Sequence, residues 1–305
     1  MNNYHATLCR AALAASLILV PGTVVAGPYE DAVAVLDAGD AATAFRIFRA
    51  LADQGDIPAQ IKVGAMYADG QGVTHDYAEA AKWFRRSADQ GSARGQFNLG
   101  TMHQNGQGLP QNDAEAVKWY LLAAAQGYLF AQFNLGNVYT EGKGVPQNDA
   151  EAAKWYRLAA EQGHPGAQFN LALLHARGKG VPRDDSEAAR WAQLAAEQGH
   201  VLAQYNLGII HADGRGVPHN DVEAVKWYRR AAEQGYVLAQ STLGLWYVLG
   251  RGVTRDDVHG LMWLNLAAAR GDAKAIKDRD AAAQNMSQAQ VAEATKLARE
   301  WKVKR

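Results

Sequence analysis

A tryptophan recurs every 36 residues along most of this 305-residue chain, and that period constrains the fold more than any other feature. A fixed period of this length is typical of proteins that stack copies of one supersecondary unit. A glycine keeps the same spacing, so two residue types mark the repeat independently. The tryptophans are Trp83, Trp119, Trp155, Trp191, Trp227 and Trp263, and the glycines are Gly55, Gly91, Gly127, Gly163, Gly199, Gly235 and Gly271.

Each period predicts two helices, and the first begins at an acidic or amide side chain. Asn112 followed by Glu115 is a capping-box pattern, in which each side chain satisfies a backbone N–H group of the other residue. Gly127 is expected to end this helix because glycine readily adopts the left-handed conformation. The predicted buried stripe is Ala116, Trp119, Tyr120, Ala123 and Ala124. The capping pattern recurs at Asp76/Glu79, Asn148/Glu151, Asp184/Glu187 and Asn220/Glu223, whereas His259 follows Asp256 in the last copy.

The second helix of the period is predicted from about Phe130 to Glu141. Its central Gly136 is unfavourable in a helix by up to about 1 kcal/mol relative to alanine. Because this glycine recurs, we expect a neighbouring helix to approach it closely. The segment Gly142–Pro146 predicts the turn into the next period. The equivalents of Gly136 are Gly64, Gly100, Gly208 and Gly244, with Ala172 in the remaining copy.

These units predict an all-α chain, a right-handed α/α solenoid of 36-residue helical-hairpin repeats over residues 41–272. Neither helix of a hairpin can bury its apolar face alone, but stacked hairpins bury a continuous core. We expect an N-terminal capping helix within residues 27–40. Residues 273–305 are expected to form a C-terminal cap that includes a helix from Ser287 to about Trp301.

Residues 1–26 resemble a secretory signal peptide rather than part of the solenoid. An apolar run from Ala11 to Val20 precedes the small residues Val24–Ala26, so cleavage is predicted after Ala26. The alternative is an N-terminal membrane anchor, although the run is short for a transmembrane helix. We therefore expect a periplasmic or secreted protein without an integral membrane anchor. Cys9, the one cysteine, would leave with the signal peptide.

The repeat is similar to the Sel-1-like repeat family, a relative of the tetratricopeptide repeats with a longer inter-helix loop. The resemblance rests on Ala131–Gly136 followed by Gly142–Pro146, and it covers roughly residues 41–272. Members of that family are adaptors and scaffolds, including periplasmic and secreted bacterial proteins. The resemblance therefore implies an exported scaffold whose partner is a protein or peptide.

Other classes of function have less support in the sequence. Lys and Arg total 31 and so do Asp and Glu, so the chain lacks the basic excess of a nucleic-acid binder. The pair Gly142/Gly144 resembles part of a nucleotide loop but lacks a preceding strand. No nucleophile motif is present, and we expect neither a catalytic site nor a cofactor. The alternative is a β-lactam-binding or β-lactam-hydrolysing enzyme, as implied by a cysteine-rich branch of the similar family.

Two histidine pairs occupy equivalent positions in neighbouring repeats. His175 and His211 share one position, and His164 and His200 share another, so either pair could form a metal or proton-sensitive site. Tyrosine replaces histidine at both positions in other copies. This alternation favours a half-buried ring with a polar tip, and no metal site is predicted.

The predicted binding surface lies on the second helices, which by analogy with tetratricopeptide repeats should line the concave face. One position varies from polar near the N-terminus to apolar near the C-terminus: Ala65, Thr101, Asn137, Leu173, Ile209 and Leu245. We expect a linear partner to bind there, because packing alone does not suggest such a gradient. The alternatives are that the aromatic residues serve packing, or that the apolar end is a homodimer contact. The predicted partner-binding residues are Phe97, Phe133, Asn137, Phe169, Leu173, Tyr205, Ile209 and Leu245.

Overall fold

The computed structural model describes residues 27–303, which form sixteen α-helices and no β-strand. The predicted signal peptide and its cleavage site after Ala26 lie outside the described residues. The helices are α1 Pro28–Asp37, α2 Ala41–Asp53, α3 Ile57–Asp69, α4 Tyr77–Asp89, α5 Ala93–Asn105, α6 Asp113–Ala125, α7 Leu129–Glu141, α8 Asp149–Glu161, α9 Pro165–Arg177, α10 Asp185–Glu197, α11 Val201–Asp213, α12 Asp221–Glu233, α13 Val237–Leu249, α14 Asp257–Ala268, α15 Ala273–Ala283 and α16 Gln288–Glu300.

Consecutive helices pack against each other from α1 to α15, and α16 packs on α14, so the described residues form a helical solenoid. Helix α7, for example, contacts α6 and α8 and also touches α9, the corresponding helix of the next repeat. The buried apolar residues form successive clusters along the stack rather than one central core. The prediction of an all-α solenoid with a 36-residue period is confirmed.

The first helix of each period begins at the predicted cap, but the glutamate does not complete the box. In α8, Asn148 Oδ1 accepts hydrogen bonds from the N–H groups of Ala150 and Glu151 at 3.0 and 3.1 Å. The Glu151 carboxylate instead accepts from Lys154 Nζ at 2.5 Å. A full capping box is present in α16, where Ser287 and Gln290 bond to each other's backbone N–H groups.

The recurring mid-helix glycine lies against a large side chain of the following helix, which confirms the predicted close approach of a neighbouring helix. A Cβ atom on Gly136 would lie 2.4 Å from ring carbons of Tyr156 in α8, closer than real contacts allow. Gly142 ends α7 in the left-handed conformation, with φ at +71°. The equivalents of Gly136 face a large side chain of the following helix in the same way: Gly64 faces Phe84, Gly100 faces Tyr120, Gly208 faces Tyr228 and Gly244 faces Leu264.

The repeated tryptophan is less uniformly buried than its spacing predicts. Trp119 was expected in the buried stripe of α6, yet it is half-buried, and Val117 is buried in that helix instead. The guanidinium of Arg85 lies 4.9 Å from the ring centre of Trp119 and covers part of it. Trp155 is likewise half-buried, whereas the other four repeated tryptophans are buried: Trp83, Trp191, Trp227 and Trp263.

Additional helices cover both ends of the stack. At the N-terminal end α1 packs on α2, with the ring centres of Tyr29 and Phe48 5.1 Å apart. At the other end α16 packs on α14, with Trp301 edge-on to Trp263 at 5.8 Å. Among residues 27–303, no helix is both long and apolar enough to cross a bilayer.

Candidate functional site

All eight predicted partner-binding residues lie on α5, α7, α9, α11 and α13, whose combined outer surface we call the odd-helix face. Each of the eight side chains is half-buried, so each packs against neighbours and still reaches solvent. Phe169, Leu173 and Ile209 line one cavity together. Leu245 lies apart from them and lines a separate cavity of about 230 Å³ against α15.

The aromatic members of the set each contact a ring from the loop that precedes the next odd helix. Phe133, for example, lies parallel to His164 with ring centres 4.2 Å apart. These rings therefore take part in packing between repeats, which supports the packing alternative for part of their surface. The pairs are Phe97 with Tyr128 at 5.3 Å, Phe133 with His164 at 4.2 Å, Phe169 with His200 at 4.9 Å and Tyr205 with Tyr236 at 5.2 Å.

The rings on α5 and α7, together with the rings that cap α7 and α9, form one continuous surface, which we call the aromatic patch. Phe130 links the pairs of two repeats, since its ring centre lies 5.6 Å from that of Tyr128 and 5.8 Å from that of His164. Phe130 is 46% exposed. The aromatic patch consists of Phe97, Tyr128, Phe130, Phe133 and His164.

His164 and His200 serve as helix caps. His164 Nδ1 accepts a hydrogen bond from the N–H group of Ala167 at 3.1 Å, and His200 Nδ1 accepts from Ala203 at 3.2 Å. This bond requires an unprotonated Nδ1 atom. Burial lowers the pKa of both histidines, which favours the neutral form of each ring. Within residues 27–303, no three His, Cys, Asp or Glu side chains are placed to share a metal ion.

His175 and two of its tyrosine equivalents, Tyr67 and Tyr247, place a polar tip against an arginine. The alternation with tyrosine predicted a half-buried ring, and Tyr67 is half-buried whereas Tyr247 is buried. His175 is buried, and its Nε2 atom lies 3.3 Å from the guanidinium of Arg157. Tyr247 receives a hydrogen bond from Arg229 in the same way. His211, the other member of the pair, is half-buried, and burial lowers its pKa.

Packing gives a reason for the two polar side chains of the gradient, Thr101 and Asn137. The hydroxyl group of Tyr156 donates a hydrogen bond to Asn137 Oδ1 at 2.7 Å. The hydroxyl group of Tyr120 lies between two acceptors, Gln104 Oε1 at 2.7 Å and Thr101 Oγ1 at 3.2 Å. The polar positions therefore satisfy tyrosine hydroxyl groups of the following helix. Where that helix has Ala192, the odd helix has Leu173. The exception is Ile209, which occupies the position beside Tyr228.

We call each contact of a second helix with the first helix of the next repeat a step of the stack, and one step lacks a large side chain at this contact. In α9 and α10, Ala172 and Ala192 stand where other steps have a glycine and a large side chain. A cavity of about 270 Å³ opens there among α9, α10 and α11. Apolar side chains supply most of its wall, and the exposed Arg177 and Arg215 lie at its mouth. The apolar lining consists of Phe169, Ala172, Leu173, Ala176, Ala188, Ala192, Ile209 and Ile210, and Asn206 contributes an amide.

A row of buried glutamines joins the repeats and was not predicted. Gln132 Nε2 donates to the carbonyl of Ala124 at 3.4 Å, and Gln132 Oε1 accepts from Gln162 Nε2 at 2.7 Å. The row could have been found in the sequence because its members keep the 36-residue spacing. Its members are Gln60, Gln96, Gln132, Gln168, Gln204 and Gln240.

The repeat and the fold both have known counterparts. The family described as Sel1 repeat matches six consecutive segments: 57–92, 93–128, 129–164, 165–200, 201–236 and 237–272. A Sel1 repeat protein from Oxalobacter formigenes is 32% identical over 79% of this chain and 97% of its own, with a TM-score of 0.69. A protective antigen of uropathogenic Escherichia coli with an SLR fold is 25% identical over 90% of this chain and 83% of its own, with a TM-score of 0.51. None of the curated proteins matches the chain. The six matched segments span more than half of the sequence, so the chain belongs to the Sel1 repeat family.

Proposed function

We propose that this protein is an exported interaction scaffold that binds a peptide or protein segment along the odd-helix face. The observation that carries the proposal is the aromatic patch, which is continuous from α5 through α7 to the residue that caps α9 and is centred on the 46% exposed Phe130. Aromatic side chains are enriched at protein interfaces because a rigid ring buries a large area at low entropic cost. Membership of the Sel1 repeat family, whose repeats are generally protein-interaction modules, supports the same role.

Two further repeats expose an apolar side chain at the repeat position of Phe130, whereas the repeat between them and Phe130 has Gly166 there. Leu202 and Leu238 correspond to Phe130 and are 38% and 45% exposed. Clustered exposed apolar side chains mark association surfaces. The even helices carry a competing set of exposed apolar residues: Leu122, Leu158 and Val222. No observation on residues 27–303 favours the β-lactam alternative, so we propose a single function.

The two surfaces can be compared directly with matched variants. One variant carries Phe130→Ser, Leu202→Ser and Leu238→Ser, and its control carries Leu122→Ser, Leu158→Ser and Val222→Ser. Both are checked for helicity and melting temperature, then cross-linked in the native cell envelope. We expect the first variant to lose the partners that the unmodified protein captures and the control to keep them. Retention of every partner by the first variant would contradict the proposed face, and loss of self-cross-linking alone would favour a homodimer contact.

Export is the second part of the proposal, and it rests on the apolar run from Ala11 to Val20 followed by Val24–Ala26. Intact-mass measurement of the protein outside the cytoplasm tests it. We expect a chain that begins at Gly27. A chain that still begins at Met1 and sediments with membranes would show that the N-terminal segment is an anchor.

A further inference from the structure

We propose that the cavity among α9, α10 and α11 is a recognition pocket for an aromatic side chain of the partner, with an acidic residue next to that ring. The proposal rests on the proposed function, because it names the chemistry of the segment that the odd-helix face would bind. It follows from three features of the cavity: how it arises, its size and apolar wall, and the charge at its mouth.

The cavity arises from two coordinated departures from the repeat. In the step before it, Gly136 leaves room for the ring of Tyr156, and a Cβ atom there would lie 2.4 Å from that ring. In the step after it, Gly208 leaves room for Tyr228 in the same way. At this step the ring is replaced by Ala192 and the space is narrowed by Ala172. Ala172 and Ala192 both line the cavity, so the opening depends on both helices.

The volume and lining of the cavity match an aromatic ring. Its volume is about 270 Å³, and an engineered apolar cavity of about 150 Å³ is large enough for benzene. The apolar wall of the cavity includes Phe169, Leu173 and Ile209. At the equivalent position in the two neighbouring repeats, the protein places a tyrosine ring, that of Tyr156 or Tyr228. A ring from a partner would remove this apolar wall from water, which is favourable.

The mouth of the cavity is positively charged because of Arg177. Other repeats have acidic or uncharged residues at that position: Asp69, Asn105, Glu141, Asp213 and Leu249. Arg177 has no hydrogen-bond or ion-pair partner within residues 27–303, whereas Arg215 on the other side pairs with Asp213. An unpaired guanidinium beside an apolar pocket is complementary to a carboxylate placed next to the entering ring.

The direct test is a titration of the full-length chain, labelled at its alanine methyl groups, with the blocked peptide acetyl-Gly-Phe-Glu-Gly-amide. We expect saturable shifts of the Ala172, Ala176 and Ala192 methyl signals. Replacement of Phe by Ala in the peptide should abolish them, and replacement of Glu by Gln should weaken binding about threefold, as for an exposed ion pair. Absence of shifts at these methyl groups, or equal binding of the Phe and Ala peptides, would overturn the proposal.

Two variants separate the ring site from the charge. Ala172→Gly with Ala192→Tyr restores the pair found at positions 136 and 156, so it should fold and should no longer bind the peptide. Arg177→Glu changes an exposed side chain and should reverse the preference, favouring acetyl-Gly-Phe-Lys-Gly-amide over the Glu peptide. Unchanged affinity in the first variant, or unchanged preference in the second, would overturn the proposal.

The outcome is distinguishable from failure of the proposed function. If the chain does not bind the peptide but the Phe130, Leu202 and Leu238 variant loses its partners, the pocket is wrong and the binding face stands. If the peptide binds at the cavity but that variant keeps every partner, the pocket stands and the wider face is wrong.

Discussion

Gly136 packs directly against the ring of Tyr156, so closely that a methyl group on the glycine would lie 2.4 Å from the ring carbons. The glycine destabilises helix α7 by up to about 1 kcal/mol. Burial of the tyrosine ring against it contributes a larger, stabilising free energy. The hydroxyl group of the same tyrosine reaches Asn137 on α7. This relationship between successive helices sets the spacing of the stack and also determines where the stack leaves an opening.

Gly136→Ala should lower stability although alanine is the better helix former. We expect a loss of about 1–3 kcal/mol from overpacking against Tyr156. The double variant Gly136→Ala, Tyr156→Ala should lose less stability than the sum of the losses in the two single variants, because the added methyl group then occupies space that the ring has vacated. Chemical unfolding of both single variants and the double variant checks this. The control is Ala172→Gly, which should cost about 1 kcal/mol from helix propensity alone. A Gly136→Ala variant more stable than the unmodified chain would contradict the contact.

The row of buried glutamines should stabilise the fold through its hydrogen bonds, although its side chains are polar. Gln132→Ala removes the partners of a backbone carbonyl and of the Gln162 amide, so we expect a loss of about 1–3 kcal/mol. Gln147 is exposed and provides the control, for which Gln147→Ala should change stability by less than about 0.5 kcal/mol. Equal unfolding midpoints for the two variants would show that the row is not structural.

The helix caps should depend on the amide or carboxylate at the first position and little on the glutamate that follows. Asn148→Ala should cost about 1 kcal/mol because two backbone N–H groups lose their acceptor. Glu151→Ala should cost less than about 0.5 kcal/mol, since Glu151 forms only an exposed pair with Lys154. Thermal unfolding of both variants distinguishes this arrangement from a reciprocal capping box, which would make the two losses similar.

The 36-residue period was sufficient to predict the helices, their order and the close approach at Gly136, because those features depend on local pattern and repeat spacing. The packing role of Thr101 and Asn137 could not be predicted, since the tyrosine hydroxyl group that each contacts lies on another helix. The cavity was not predicted for a related reason. Ala172 and Ala192 each differ from the other copies in the sequence, but only the packing of α9 on α10 shows that they border the same space.

The stability of the stack should fall in mild acid because of His164 and His200. Burial lowers the pKa of each below the ordinary value of 6.5. Below that value the unfolded chain binds protons that the folded chain does not, so the contribution of these histidines is present above it and is lost as the pH falls. We expect the decrease in melting temperature between about pH 7.5 and about pH 5 to be smaller in a His164→Asn, His200→Asn variant, since asparagine caps helices without titrating. A decrease equal to that of the unmodified chain would contradict the assignment.

The location of the partner is the central claim, and photo-cross-linking from single positions tests it most directly. p-Benzoylphenylalanine replaces Phe130 in the aromatic patch in one chain and the exposed Leu122 of α6 in another. Irradiation in the native envelope, followed by mass spectrometry of the adducts, compares the two positions at equal expression. We predict adducts to a protein partner from position 130 and none from position 122. Adducts of equal yield from both positions, or from position 122 alone, would contradict binding on the odd-helix face.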